Sequence, residues 1–172
     1  MYKRQVDNGG SNIVIWNPST CDYCLAYDYT TGISQRGIAY DPIDDVIYVG
    51  GWNTGNYPGG TIFKFQAPQC EEPLELLGTC DFSWSPLWSI SGLAWDDDKG
   101  GLYVTNSSGN MLGKVDPNSC TLLYYGPITW MCLGQIENPV AGGLAYGEYA
   151  LGMMGLFATV FDADNFQSVI NY

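Results

Sequence analysis

Short apolar runs of four to six residues recur along this chain, separated by clusters of Asp, Asn, Ser, Gly and Pro. Examples are "VIYVGG" from Val46, "TIFKF" from Thr61 and "GLYV" from Gly101. Tyr40, Tyr48 and Tyr103 fall in runs of period two, rich in β-branched and aromatic residues. This pattern predicts short half-buried strands joined by tight turns. No segment carries an apolar stripe at helical spacing.

The runs repeat. "GIAYD" starts at Gly37, "GLAWD" at Gly92 and "GLAYG" at Gly143, 55 and 51 residues apart. The first two are followed at matching distances by "VIYVGG" and "GLYVTN", the third by "GLFATV" from Gly155. A further element ends on cysteine each time: "NIVIWNPSTC" at Cys21, "TIFKFQAPQC" at Cys70 and "MLGKVDPNSC" at Cys120, 49 and 50 apart. "NFQSVINY" begins this element once more. Three to four antiparallel strands per unit of about 50 residues is the pattern of a β-propeller blade. With the Gly-apolar-Ala-aromatic element taken as inner strand A, the order along the chain is C-D-A-B, three times, followed by a final C.

"LYVTNSSGNMLGKVDPNSCTLLYYG" resembles the repeat of YVTN-type β-propellers, and "RGIAYDPIDDVIYVGGW" with "GTIFKFQ" is similar to the related NHL-type blade. The likeness extends over residues 12–172. It implies an all-β fold, a propeller arc of about three four-stranded antiparallel blades. Complete propellers use about four to eight blades, so the expectation is an arc belonging to a six- or seven-bladed parent. The units fall approximately at 12–60, 61–109, 110–164 and the start of another at 165–172. Residues 1–11 are expected to be a non-native or disordered N-terminal segment. Their first five, "MYKRQ", resemble a translated sequencing adapter and hold two of the six basic residues, Lys3 and Arg4.

Composition narrows the function. Eighteen acidic residues against six basic ones give a net charge of −12, which would repel a phosphate backbone or an anionic lipid surface. No stretch of 18 apolar residues occurs, so no membrane insertion is expected. The chain has no histidine, the commonest general base and metal ligand. No catalytic residue, metal site or cofactor is assigned.

The run Asp96-Asp97-Asp98 lies between strands A and B, where the first unit has Asp41, Asp44 and Asp45 and the third has Glu148. Calcium loops space their ligands, as in D-x-D-x-D-G, whereas consecutive aspartates on an extended chain point in different directions. Aspartate also bonds nearby backbone N–H groups in turns, and the turn is the preferred reading. Alternating strand direction puts these turns on one face. The B–C and D–A connections lie on the other, and they carry Trp52, Tyr57, Trp84, Trp88 and Trp130. Long loops on a rigid scaffold are where binding concentrates, and exposed tryptophans could stack on sugars or anchor a protein. The competing reading packs these rings between blades.

Six cysteines suggest an oxidising compartment. Cys21, Cys70 and Cys120 close the C element; Cys24, Cys80 and Cys132 lie 13, 12 and 11 residues before the glycine of the next A element. One bridge per unit would pair Cys21–Cys24, Cys70–Cys80 and Cys120–Cys132. A full strand between Cys70 and Cys80 would hold their ends roughly 25–30 Å apart at about 3.3 Å per residue, so that pairing needs a looped connection; six cysteines allow 15 pairings. Redox or zinc use of "CDYC" is disfavoured, because no helix follows and no fourth ligand is at hand.

Three functions stay open. The first is an extracellular, cell-surface or periplasmic module that binds protein or carbohydrate through aromatic face loops and self-associates through exposed blade edges. The second is a lactonase- or lyase-like propeller enzyme, with Asp41, Asp96, Asn106 and Glu148 as scattered candidates. The third is a purely structural surface repeat.

Overall fold

The β-branched and aromatic runs form strands, and the Asp- and Gly-rich clusters between them turn the chain back, so successive strands pair antiparallel. The computed structural model describes residues 3–6, 12–17, 19–27, 34–52, 57–106, 111–127, 139–150, 153–162 and 168–171. Among them there is no helix. The first sheet contains β1 (Lys3–Val6), β2 (Asn12–Trp16) and β3 (Tyr23–Tyr27) in that order. The second is β4 (Ser34–Asp41), β5 (Val46–Trp52), β6 (Thr61–Gln66) and β7 (Leu76–Asp81). The third is β8 (Ile90–Trp95), β9 (Leu102–Asn106), β10 (Met111–Asp116) and β11 (Thr121–Pro127). The fourth is β12 (Pro139–Ala150), β13 (Met153–Asp162) and β14 (Ser168–Asn171).

Both four-stranded sheets run in chain order, as the A-B-C-D assignment predicts. They also share irregularities. Each has a register shift just before the motif glycine, between Gln35 and Gly37 and between Ile90 and Gly92. Each has another within strand C, between Lys64 and Phe65 and between Lys114 and Val115. Bulges bend a strand and raise its twist, so the two sheets curve alike. Within residues 1–11, the segment expected to be non-native or disordered, Lys3–Val6 forms β1, which pairs with β2 from Lys3↔Trp16 to Val6↔Ile13.

The sheets pack face to face through two apolar layers. Phe63, Phe65, Ile47 and Val49 of the second sheet meet Ile13, Ile15 and Ala26 of the first. On its other face Tyr48, Ile62, Val46 and Cys80 meet Leu93, Leu102, Val104 and Val115 of the third. Burial of each large side chain contributes about 1.5–3 kcal/mol. Inner strand β4 touches β8, and β8 touches β12. The approach there is close: a Cβ on Gly37 would stand 2.8 Å from the Leu93 amide nitrogen and 3.0 Å from the Gly92 carbonyl carbon. The recurrent motif glycine therefore lets neighbouring inner strands meet backbone to backbone.

Candidate functional site

The turn between β8 and β9 shows what the Asp run does. Asp96 is buried, and its Oδ1 accepts the backbone N–H groups of Asp98 and Lys99, each at 3.1 Å. Its Oδ2 accepts Lys114 Nζ in a buried ion pair. Gly100 and Gly101 complete the turn at positive φ (68° and 93°), a conformation glycine adopts without Cβ strain. The carboxylate is thus occupied by one cation and two amides. Burial alone would raise its pKa, but the Lys114 hydrogen bond and charge with the two N–H bonds outweigh this and lower it. Asp97 is raised by burial and by the charges of Asp96, Asp98 and Asp41. Among the described residues no group of three or more acids or thiols is arranged to hold a metal ion.

The second sheet repeats these residue types. Asp41 Oδ1 accepts the N–H groups of Ile43 (2.9 Å) and Asp44 (3.4 Å). Lys64, at the strand position of Lys114, reaches elsewhere: its Nζ donates to Asn118 Oδ1 at 3.0 Å and lies 3.8 Å from Asp44 Oδ2. Opposite Lys114 stands Tyr124, and opposite Lys64 stands Gly78. A Cβ on Gly78 would meet nothing within 4 Å. That missing side chain leaves a cleft of about 260 Å³ between the second and third sheets, lined by Tyr48, Lys64, Gly78, Thr79, Asn118 and the Cys80–Cys120 bridge, with others. Tyr48 stacks on Trp95 with ring centroids 5.7 Å apart, and its hydroxyl is buried with no hydrogen-bond partner among the described residues. Burial first, then the charges of Asp41, Asp44 and Asp116, push its pKa well above the ordinary phenol value. The sequence reading missed this cleft and the Lys114–Asp96 pair. A legible signal was the lysine at the same place in "TIFKFQ" and "MLGKVD", in a chain with only six basic residues.

The aromatic candidates separate. Trp84 and Trp88 share the loop between β7 and β8 and are 69% and 52% exposed. The loop is held from below by Phe82 and Leu87, both buried. Polar bonds tie it down further: Ser83 N to Asp81 Oδ1 (2.8 Å), Ser85 Oγ to Phe82 O (2.7 Å), Leu87 N to Ser85 Oγ (3.1 Å), and Asn106 Nδ2 to Pro86 O. Trp84 Nε1 donates to Asp81 O at 3.0 Å, which fixes the ring while leaving it in solvent. Tyr57 is half-buried and packs edge-to-face on Phe63 at 4.9 Å, so it belongs to the interface between sheets. Trp52 ends β5; Trp130 lies outside the described residues.

The bridges correct the sequence expectation. Cys24 pairs with Cys70 and Cys80 with Cys120, while Cys21 is a free, exposed thiol. Cys21–Cys24, Cys70–Cys80 and Cys120–Cys132 therefore do not form; Cys132 itself lies outside the described residues. The reason is geometric. Within a sheet, β7 carries Cys80 away from the turn that holds Cys70, whereas the turn after strand C of the next sheet lies directly against it. The Cα atoms of the two bridges are 5.5 Å and 5.2 Å apart.

No protein-family model matches the chain, and no curated protein matches it. Solved structures do. The chain is similar to a structure of U3-55K (TM-score 0.54, 11% identity, 99% of this chain and 48% of that one). It is similar to the WD40 repeats of RRP9 (0.50, 15%, 81% and 38%) and to a chain of a nidogen/laminin complex (0.54, 14%, 96% and 56%). These likenesses, with meandering four-stranded sheets packed face to face around their inner strands, settle the architecture. The chain is an arc of β-propeller blades. It spans about half the length of the propeller chains it matches. At these identities the likeness carries the fold alone. In propeller terms the second and third sheets are complete blades, Trp84 and Trp88 stand on the face opposite the Asp turns, and each disulfide staples one blade to the next.

Proposed function

We propose that this chain is a β-propeller binding and scaffold module, working in an extracellular, cell-surface or periplasmic setting, that contacts a protein or carbohydrate through its aromatic loop face. The observation that carries this reading is the pair of exposed indoles, Trp84 and Trp88, on a loop pinned by buried anchors and hydrogen bonds. A rigid loop presents large apolar rings at little cost in conformational entropy on binding, and tryptophan is enriched among residues that dominate interface energy. Of the flanking serines, Ser83 is exposed beside Trp84, while Ser85 and Ser89 are buried and belong to the loop's support. One structurally similar chain comes from a complex of nidogen with laminin, which favours a protein ligand. Two disulfides fit an oxidising compartment, and among the described residues no helix is long and apolar enough to cross a membrane.

The test is a screen of the intact protein against surface-protein and glycan panels, repeated with Trp84→Ala/Trp88→Ala. Both rings are in solvent, so the double variant is expected to keep its fold and lose at least tenfold in affinity for whatever the parent captures. Unchanged capture by the double variant would sink the proposal.

A further inference from the structure

In the cleft between the second and third sheets the repeat is incomplete. In the third sheet, Tyr103, Lys114 and Tyr124 stand in one row across β9, β10 and β11. The Tyr103 hydroxyl bonds Tyr124 and Asp96, and Lys114 Nζ donates to Asp96. In the second sheet the same row reads Tyr48, Lys64 and Gly78. The first two groups are kept, and the ring that would cover them is absent. A Cβ on Gly78 would meet nothing within 4 Å, so the room for that ring is kept as well. The cleft holds about 260 Å³. Pockets for drug-sized molecules hold roughly 300–1,000 Å³, so this one suits a single ring with a short substituent.

The walls are of two kinds. Ile62, Leu77, Pro117 and the Cys80–Cys120 bridge are apolar. Tyr48 and Lys64 offer protons. Tyr48 is fully buried, and its hydroxyl has no hydrogen-bond partner among the described residues. A buried donor left unmet is costly, so an oxygen brought to it is favoured. Lys64 Nζ donates across the cleft to Asn118 Oδ1 at 3.0 Å, and Asn118 is exposed. Water readily replaces such a bond when it opens. Charge narrows the ligand further. Asp44 lies 3.8 Å from Lys64 Nζ and offsets its charge. Burial first, then the charges of Asp41, Asp44 and Asp116, hold the Tyr48 phenol protonated. An anion entering this field would meet those carboxylates and an ammonium already paired. A neutral oxygen on an apolar ring meets no such barrier.

We propose that this cleft binds a small neutral phenol, whose ring takes the place of the side chain absent at Gly78 and whose oxygen accepts from the Tyr48 hydroxyl and, in place of Asn118, from Lys64 Nζ. The apolar walls enclose the ring. The phenol proton goes to the released Asn118 Oδ1, so each polar group at the site is satisfied.

The experiment is an NMR titration of the whole chain with 4-hydroxybenzamide, benzamide and 4-hydroxybenzoate, at about pH 6.5, well below the phenol pKa of about 10. The expected result is saturable binding of 4-hydroxybenzamide with a Kd on the order of 1 mM or tighter. Benzamide lacks the hydroxyl and 4-hydroxybenzoate carries a charge, so each should bind at least about tenfold more weakly. Tyr48→Phe should weaken 4-hydroxybenzamide at least about fivefold while its urea midpoint stays at or above that of the parent. Gly78→Tyr should abolish binding with the fold kept, because the chain then supplies the ring itself. Equal binding of benzamide, equal or tighter binding of 4-hydroxybenzoate, or an unchanged Kd in either folded variant would overturn the proposal. So would the lack of saturable 4-hydroxybenzamide binding up to about 10 mM.

Discussion

The second and third sheets place the same three residue types at the same three strand positions and wire them differently. In the third, Lys114 is buried on Asp96 and lies over the Tyr103 ring at 5.0 Å, and the Tyr103 hydroxyl is hydrogen-bonded to Tyr124 and Asp96. In the second, Lys64 leaves Asp41 and reaches forward to Asn118 of the next blade, 5.7 Å from the Tyr48 ring, and the Tyr48 hydroxyl has no partner among the described residues. One substitution across the strand pair accounts for much of this. Tyr124 closes the network over Lys114; Gly78 leaves it open, and the turn of the following blade enters the space. A repeat position sets which groups meet only when the neighbouring strand and the neighbouring blade agree. The third blade holds a network whose charged pair, Lys114 and Asp96, is buried, with Tyr124 half exposed over it. The second has an inter-blade cleft with a cation and an orphaned hydroxyl at its wall.

The sharpest way to break the comparison is to remove each lysine. Lys114→Met strands Asp96 in the interior, and a chemical denaturation curve should show a loss of about 3–5 kcal/mol. Lys64→Met acts on a partly exposed pair and should cost less than about 1 kcal/mol; equal losses would mean that the two lysines are equivalent after all. The tyrosines should differ in sign. Tyr103→Phe deletes a bonded hydroxyl and should cost about 1 kcal/mol, whereas Tyr48→Phe deletes a buried unsatisfied one and should be neutral or stabilising by up to about 1 kcal/mol. Acid should give the smallest effect. The folded pKa values of Asp96 and Asp116 are lowered, the latter chiefly by the Ser119 hydroxyl. Each contributes stability that is present above the unfolded carboxylate value of about 3.9 and is lost as pH falls through the lowered folded value. Urea midpoints at pH 7 and pH 3 should therefore show the parent losing stability, and the gap between parent and Lys114→Met should narrow, because protonation neutralises the stranded carboxylate. A gap that stays constant would place Asp96 outside this linkage.

Much of the fold was legible because strands leave a local trace. The spacing of Gly37, Gly92 and Gly143 and the three cysteine-terminated elements gave the strand order, and the A–B position of Asp96 gave its role as a turn residue. The disulfides were not legible. Cys70 and Cys80 are near in sequence, but β7 separates them in space, and the sequence contains no measure of which blade lies against which turn. The aromatic candidates were legible only as a set. Tyr57 and Trp84 both sit in Gly/Ser-rich connections, yet one ring packs on Phe63 and the other faces water, a difference set by where Phe82 and Leu87 anchor the second loop. The cleft escaped for a related reason: Gly78 is unremarkable until its partner across the strand pair is known to be Lys64.

By itself the sequence determined that this chain forms short antiparallel strands in a repeat of about 50 residues, because strand and turn preferences depend on residues a few positions apart. Tertiary structure alone decided the staples between blades, the route taken by each lysine and the exposure of each aromatic ring. The staples join residues 46 and 40 positions apart and the lysines reach partners 54 and 18 positions away, contacts that are fixed only when strand is laid on strand and one sheet on the next.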